Sequence, residues 1–140
     1  MKKRLIIVSG YFNPLHAGHI EYFTLAKKFG DHLLVIVNND NQRKLKGSKE
    51  FMLEKERITI IKALRIVDKV FLSIDTDRTV SKTIRKVYND NHKTYNIFFA
   101  NGGDQKNNMI PEATTCHELG IELIDKLGKK IQSSSWLLNK

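Results

Sequence analysis

The sequence predicts an α/β fold: a Rossmann-like, open, mostly parallel five-stranded sheet with helices on both faces. Five short apolar, β-branched runs recur along the chain, each of a length that suits a buried strand. Stretches with the apolar spacing of helices separate these runs. Such alternation favours parallel strands joined by right-handed crossovers. At 140 residues, the whole chain (1–140) is predicted to be one domain around one core.

The five predicted strands are the runs at 5–8, 33–37, 69–72, 95–99 and 121–124. Each run is rich in valine, isoleucine, leucine or phenylalanine, as strands buried on both faces are. In open sheets of this kind, ligands bind beyond the carboxyl ends of the strands, where the strand order reverses. The loops after the first, second and fourth strands are therefore where we expect the chemistry.

Four helices are predicted among these strands. The first carries apolar residues over 20–26 and ends at Gly30, a suitable C-cap. The second begins near Leu53, the third covers 80–87, and Pro111 opens the fourth. The stretch after the second strand is predicted to be a loop.

Composition and charge limit the classes of partner. The chain carries 24 Lys and Arg against 15 Asp and Glu, a net charge of +9, which attracts nucleic acid, anionic membranes or phosphorylated small molecules. A basic face that serves solubility is an equal alternative on charge alone. Without a run of basic residues or basic and aromatic interleaving, we do not expect nucleic acid as the partner.

The sequence predicts a cytoplasmic protein without a membrane partner. The apolar run at 5–8 is too short for a signal peptide, and no later stretch is long enough to span a bilayer. Cys116 is the single cysteine, so no internal disulfide can form, which suits a reducing compartment.

Two histidines lie just after the first predicted strand, in the stretch SGYFNPLHAGHIEYF at 9–23. Gly10 lets the backbone approach a ligand closely, and Pro14 fixes the turn. His16 and His19 share one face at the N-terminus of the first predicted helix, where free N–H groups favour an anion. A metal site and a pair of merely exposed imidazoles are the alternatives. Two histidines without a third ligand argue weakly for zinc, so no protein-held metal is predicted.

The stretch GYFNPLHAGH resembles the G-x-F-x-x-x-H-x-G-H signature of the cytidylyltransferase-like nucleotidyltransferases. The motifs RKLKG at 43–47, EKERITIIKALRIVDKVF and NGGDQ at 101–105 follow in the order and spacing of two branches of that family. These are the heptose-phosphate adenylyltransferases and the glycerol-phosphate cytidylyltransferases. Members join a nucleoside monophosphate to a phosphorylated acceptor and release pyrophosphate. The resemblance implies that the chain is a single nucleotidyltransferase domain.

The resemblance also implies site residues. In the family, the two histidines contact the nucleotide phosphates and stabilise the charge that builds up at the α-phosphorus, which implies catalytic parts for His16 and His19. Lys46 matches a lysine that meets phosphate and is predicted to act with them. The implied nucleotide-binding positions are Gly10, Tyr11, Phe12, His16, Gly18, His19, Gly102, Asp104, Ser133, Ser134 and Ser135.

Three basic side chains are candidates for the substrate phosphates. Lys44 and Lys46 lie after the second predicted strand, where compact ammonium charges reach phosphates. A solvated lysine loop is the alternative, and it suits Lys44 better than Lys46. The resemblance implies that the guanidinium of Arg57 binds the acceptor or the nucleotide phosphate. Its alternative is an ion-pair partner on a charged helix face.

Two later motifs are candidates for nucleotide binding. Asp104 follows two glycines and is able to accept hydrogen bonds from a ribose, an acceptor hydroxyl or a metal-bound water. Asn-Gly-Gly-Asp also encodes a simple turn. The serines at 133–135 precede an apolar helix start, and their hydroxyl and N–H groups suit a triphosphate. Helix capping is the alternative for these serines.

The predicted reaction needs no strong general base, because an acceptor that is already a phosphate is ionised. Positioning and electrostatic stabilisation then supply most of the catalysis. Mg²⁺ that arrives with the nucleoside triphosphate is the expected cofactor. The resemblance implies a homodimer.

The nucleotide and the acceptor stay open at this stage. The motifs LKG and GGD favour the ATP-using heptose branch, whereas the short chain suits the CTP-using glycerol-phosphate branch. Asn13 stands where many members have an aspartate. A sugar or polyol phosphate is the expected acceptor. The alternative function is a non-catalytic nucleotide or nucleic-acid binding module, which the basic charge alone would support.

Overall fold

The computed structural model describes residues 2–102 and 110–127 of the chain. Its strands there are β1 (Lys3–Gly10), β2 (His32–Val37), β3 (Lys69–Leu72), β4 (Tyr95–Gly102) and β5 (Glu122–Leu127). They form one sheet in the order β3-β2-β1-β4-β5, and every neighbouring pair is parallel. The predicted Rossmann-like α/β fold is confirmed, with a sheet that is wholly parallel.

Helices cover both faces of this sheet. Within the described residues they are α1 (Ala17–Lys27), α2 (Asp40–Lys46), α3 (Glu54–Lys62), α4 (Ser81–Asn91) and α5 (Ala113–Leu119). Buried side chains of α1 and α3 pack on one face, and those of α4 and α5 pack on the other. None of these helices is long and apolar enough to cross a membrane.

The core consists of two apolar layers separated by the sheet, and β1 contributes to both. Leu5 and Ile7 point into the layer under α4 and α5, whereas Ile6 and Val8 point into the layer under α1 and α3. All four side chains are fully buried. Because β2 and β3 lie on one side of β1 and β4 and β5 on the other, the strand order reverses beside β1. The carboxyl end of β1 is therefore the expected ligand position.

Helix α2 corrects the sequence prediction of a loop after the second strand. Lys44 and Lys46 lie on this helix, and Lys46 is its last residue. Asn39 and Gln42 form a capping box at its start, and Gly47 ends it in the left-handed conformation, with φ of 79°. An Asn-x-x-Gln pair followed by a glycine is a helix signal that the sequence did contain.

Candidate active site

The turn between β1 and α1 places a phenylalanine ring directly against a glycine. A Cβ atom at Gly10 would lie 2.8 Å from the ring of Phe12, so no other residue fits there without a shift. Phe12 itself has φ of 53°, in the left-handed region that non-glycine residues rarely adopt. Its side chain lies in the core and packs against Phe23, with ring centroids 5.3 Å apart. The ring also contacts His19, with centroids 4.9 Å apart, so it supports the turn and the start of α1 from the core side.

Asn13 ties this turn to the segment before α3. Its Oδ1 accepts hydrogen bonds from the N–H groups of Phe51 and Met52 at 2.9 and 2.8 Å. Its Nδ2 donates to the carbonyl oxygen of Lys49 at 2.7 Å. An ionised aspartate could accept the first two bonds but has no N–H for the third. The departure from aspartate at this position therefore has a structural reason.

The two histidines begin α1 and complete each other's hydrogen bonds. His16 is the N-cap, and its Nδ1 accepts from the N–H of Gly18 at 3.1 Å. The Nδ1 of His19 accepts from the backbone N–H of His16 at 3.2 Å. The two rings are stacked, with centroids 3.9 Å apart and planes 21° from parallel. Because both Nδ1 atoms accept, a neutral ring carries its proton on Nε2 in each case.

The surroundings of this pair keep it uncharged at neutral pH. Burial, and then the charge of His16, lower the pKa of His19 to about 3. Burial also lowers the pKa of His16. The Nε2 atom of His16 is buried and has no hydrogen-bond partner among the described residues. A buried N–H donor without a partner costs free energy unless a ligand or water accepts from it, so this atom has a donor available to a ligand.

A cleft of about 490 Å³ borders the same turn. In it, the Lys46 ammonium lies over the ring of Tyr11, 4.5 Å from its centroid. The Tyr11 hydroxyl is buried and has no hydrogen-bond partner among the described residues. The lining residues are Ser9, Gly10, Tyr11, Asn38, Lys46, Arg78, Thr79, Val80, Ile110, Pro111 and Glu112.

Two charged residues of this cleft, Arg78 and Glu112, were not predicted from the sequence. Arg78 lies in the loop after β3, and its charge adds to burial in lowering the pKa of Lys46. Burial raises the pKa of Tyr11, an effect that the charge of Arg78 opposes and that of Glu112 reinforces. A single arginine in a loop carries no sequence signature of a site. Only its distance from Lys46 in the fold reveals it.

The resemblance implies that the guanidinium of Arg57 binds a phosphate, but in this structure the guanidinium contacts protein atoms. It donates to the carbonyl oxygens of Met52, Tyr11 and Asn38 at 3.1, 2.7 and 2.7 Å. It also forms an ion pair with Asp40 at 2.8 Å, and its side chain is fully buried. In this structure Arg57 joins the β1–α1 turn to the starts of α2 and α3 and does not line the cleft.

Of the other predicted site residues, three are described by the structure and four are not. The N–H of Gly18 donates to the Nδ1 of the capping residue His16. Lys44 is exposed and is not among the residues that line the cleft. Gly102 is the last residue of β4. Asp104, Ser133, Ser134 and Ser135 lie outside the described residues.

The described residues do not form a protein-held metal site. No three histidine, cysteine, aspartate or glutamate side chains cluster in residues 2–102 and 110–127. The cleft presents two cations and one carboxylate, whereas Mg²⁺ prefers oxygen ligands. Among the described residues that line the cleft, Glu112 supplies the only carboxylate.

Comparison with known proteins tests the resemblance. Residues 7–132 match the family model described as Cytidylyltransferase-like. A FAD synthase from Picrophilus torridus is 32% identical over 134 residues, which cover 93% of this chain and 90% of that protein. The bifunctional protein HldE of Desulfatibacillum aliphaticivorans is 31% identical over 131 residues, 92% of this chain but 23% of that protein.

A solved structure shows the same architecture. The lipopolysaccharide core biosynthesis protein from Thermoplasma volcanium superimposes with a TM-score of 0.72 at 29% identity. The match covers 91% of this chain and 98% of that one. The family model alone spans most of the chain and includes the β1–α1 turn with both histidines. The chain therefore belongs to the cytidylyltransferase-like family and is a nucleotidyltransferase.

Proposed function

We propose that the protein transfers AMP from ATP to a phosphate oxygen of a phosphorylated small molecule and releases pyrophosphate. The observation that carries this proposal is the stacked pair of neutral histidines at the N-terminus of α1, beside a cleft that contains Lys46 and Arg78. The FAD synthase relatives support ATP over CTP, since FAD contains an adenylyl group. They span nearly the same length as this chain.

The proposed step forms one bond and breaks one. An ionised oxygen of the acceptor phosphate attacks the α-phosphorus of ATP, and the bond from that phosphorus to the bridging oxygen of the β-phosphate breaks. Pyrophosphate leaves with the electron pair of that bond. Negative charge grows on the oxygens of the α-phosphate, so donors aimed there stabilise the transition state. No proton has to be removed from the acceptor.

His16 and His19 supply such donors. Each neutral ring keeps Nε2–H after its Nδ1 has accepted a backbone hydrogen bond. The N-terminus of α1 adds a partial positive charge. A well-placed donor of this type lowers the activation free energy by roughly 3–4 kcal/mol. Because both rings are already neutral and stacked, little reorganisation is needed when the phosphate binds.

The remaining parts of the site have separate tasks. Lys46 provides positive charge for a phosphate at the cleft, as the resemblance implies. Arg57 acts as a positioning residue through its bonds to the carbonyls of Tyr11 and Asn38. Mg²⁺ is proposed to enter on the triphosphate, where it would offset phosphate charge.

The experiment is a substrate matrix with pyrophosphate release as the readout. ATP and CTP are each combined with FMN, with a sugar phosphate, and with riboflavin as the acceptor that lacks a phosphate. We expect release with ATP and a phosphorylated acceptor and none with riboflavin. A preference for CTP would overturn the choice of nucleotide. No release with any phosphorylated acceptor would favour the non-catalytic binding module.

A further inference from the structure

Arg78 stands on a loop that is held in place along its length. Asp77 accepts hydrogen bonds from the Thr79 N–H at 2.9 Å and from its hydroxyl at 2.7 Å, which closes a tight turn around Arg78. The Nε2 of Gln42, fully buried in α2, donates to the carbonyl oxygens of Asp77 and Thr79, both at 2.7 Å. The backbone on either side of Arg78 is therefore fastened to α2.

Both ends of this loop are fastened as well. At the start, the carboxylate of Asp75 accepts from the N–H groups of Lys82 and Thr83 at 2.8 and 2.9 Å, which caps α4. At the end, the Val80 N–H donates to Glu112 at 3.0 Å. Seven hydrogen bonds thus define the loop from which an exposed arginine extends. Such a preorganised backbone lowers the cost of ordering that side chain on a ligand.

Arg78 is not paired with a carboxylate among the described residues. Within the described part of the chain, Arg78 forms no salt bridge, whereas Arg43, Arg57 and Arg85 each pair with a carboxylate. Lys46 lines the same cleft, and the buried Tyr11 hydroxyl there interacts with the Arg78 side chain, an interaction that counteracts the effect of burial on the tyrosine pKa. Two cations and a phenolic hydroxyl that converge on one cleft fit an anion with several acceptor oxygens.

We propose that Arg78 binds the phosphoryl group of the acceptor, together with Lys46 and the Tyr11 hydroxyl, and so determines selection of a phosphorylated acceptor. This rests on the proposed function. Glu112 and the apolar side chains of Val80 and Ile110 complete the cleft. A triphosphate would place several negative charges beside that carboxylate. A molecule with one phosphoryl group and an otherwise uncharged, hydroxyl-bearing skeleton matches the whole lining.

The test compares Arg78→Gln and Arg78→Lys with Arg85→Gln. Arg85 is an exposed arginine on α4 that pairs with Glu118, away from the cleft, and serves as the matched control. Inorganic phosphate binding, measured by calorimetry without nucleotide, needs no turnover. We expect Arg78→Gln to weaken it roughly 10- to 100-fold, as loss of a charge-assisted hydrogen bond does. Arg78→Lys should fall between, and Arg85→Gln should bind as the wild type does.

Steady-state kinetics then assign the phosphate to one substrate. We expect Arg78→Gln to raise the KM of the acceptor by a similar factor and to change the KM of ATP less than about twofold. A raised KM for ATP with an unchanged KM for the acceptor would overturn the proposal, as would unchanged phosphate binding. If the wild type transfers no nucleotide at all, the proposed function fails. The phosphate measurement would still decide whether Arg78 binds a phosphoryl group.

Discussion

Helices α1 and α2 begin with the same hydrogen-bond pattern, each shortly after a parallel strand, yet their first residues are used differently. In α1, His16 and His19 each accept one backbone N–H through Nδ1. In α2, Asn39 accepts from the N–H of Gln42 at 2.9 Å, and Gln42 accepts from the N–H of Asn39 at 3.0 Å. The two helix starts differ in the partners of the side-chain N–H donors that capping does not use.

At the start of α2, the side-chain N–H groups of the two amide residues donate to backbone carbonyls of the protein. The Nδ2 of Asn39 donates to two carbonyls and the Nε2 of Gln42 to two more, all in the loop after β3. In α1, by contrast, the Nε2 of His16 is buried with no partner among the described residues. The amide capping box thus stabilises the neighbouring loop, whereas the imidazole capping box leaves an N–H donor for a ligand.

The largest expected effect comes from giving α1 the capping residues of α2. His16→Asn combined with His19→Gln keeps both cap hydrogen bonds, so the melting temperature should change by only a few degrees. The imidazole Nε2–H donors are replaced by amide N–H groups at different positions, so pyrophosphate release should fall about a thousandfold or more. A pyrophosphate assay and thermal unfolding measure the two quantities. Turnover close to that of the wild type would remove the histidines from the chemistry.

A smaller effect is expected in the scaffold helix. Gln42→Leu leaves the carbonyls of Asp77 and Thr79 without their donor and should lower the free energy of unfolding by about 1–3 kcal/mol. Because the same bonds hold the loop that carries Arg78, the KM of the acceptor should also rise. Urea unfolding and steady-state kinetics measure these changes.

Asn41→Leu is the control for this scaffold variant, since Asn41 is an exposed residue of the same helix. Its free energy of unfolding should stay within about 0.5 kcal/mol of the wild-type value. If Gln42→Leu were no more destabilising than Asn41→Leu, the loop would not depend on α2.

The smallest expected effect is a difference between the two helix starts in how the free energy of unfolding depends on pH. Burial lowers the pKa of His19 to about 3, below the ordinary histidine value of 6.5. Between those values the unfolded chain binds a proton that the folded chain does not, so stability falls as the pH falls. The slope from this group is at most about 1.4 kcal/mol per pH unit. The α2 box contains no titratable group and adds no slope.

Urea unfolding at pH 7, 6 and 5 measures this slope before most carboxylates titrate. His19→Gln should flatten it, whereas Gln42→Leu should lower stability by the same amount at each pH. Equal slopes in the wild type and His19→Gln would show that His19 titrates normally in the folded protein.

Local patterns predicted the parts of the molecule that depend on near neighbours in the chain. All five strands and four of the described helices follow from apolar spacing, and the position of His16 and His19 follows from the glycines and proline around them. Helix α2 was missed because its seven residues are mostly polar and give little apolar periodicity. Its capping box and Gly47 were the usable signals.

Long-range contacts decided the rest. Arg57 looks like an ordinary residue on a charged helix face, yet contacts with Tyr11, Asn38 and Asp40 bury it completely. Phe12 lies within the motif, but its ring packs into the core. No pattern near Arg57 in the chain reports these three partners, because each is at least 17 residues away from it.

The sequence by itself determined the α/β architecture, the family and the place of the histidine pair, since these depend on hydrophobic periodicity and on a contiguous motif. Only the tertiary structure decided which polar groups have ligand-binding capacity left. Histidine and glutamine both cap helices in this protein. The Nε2 of Gln42 donates to a loop residue 35 positions away in the chain. The Nε2 of His16, in contrast, has no partner among the described residues. The same fold brings Arg78 to Lys46, because the sheet places the ends of β2 and β3 side by side.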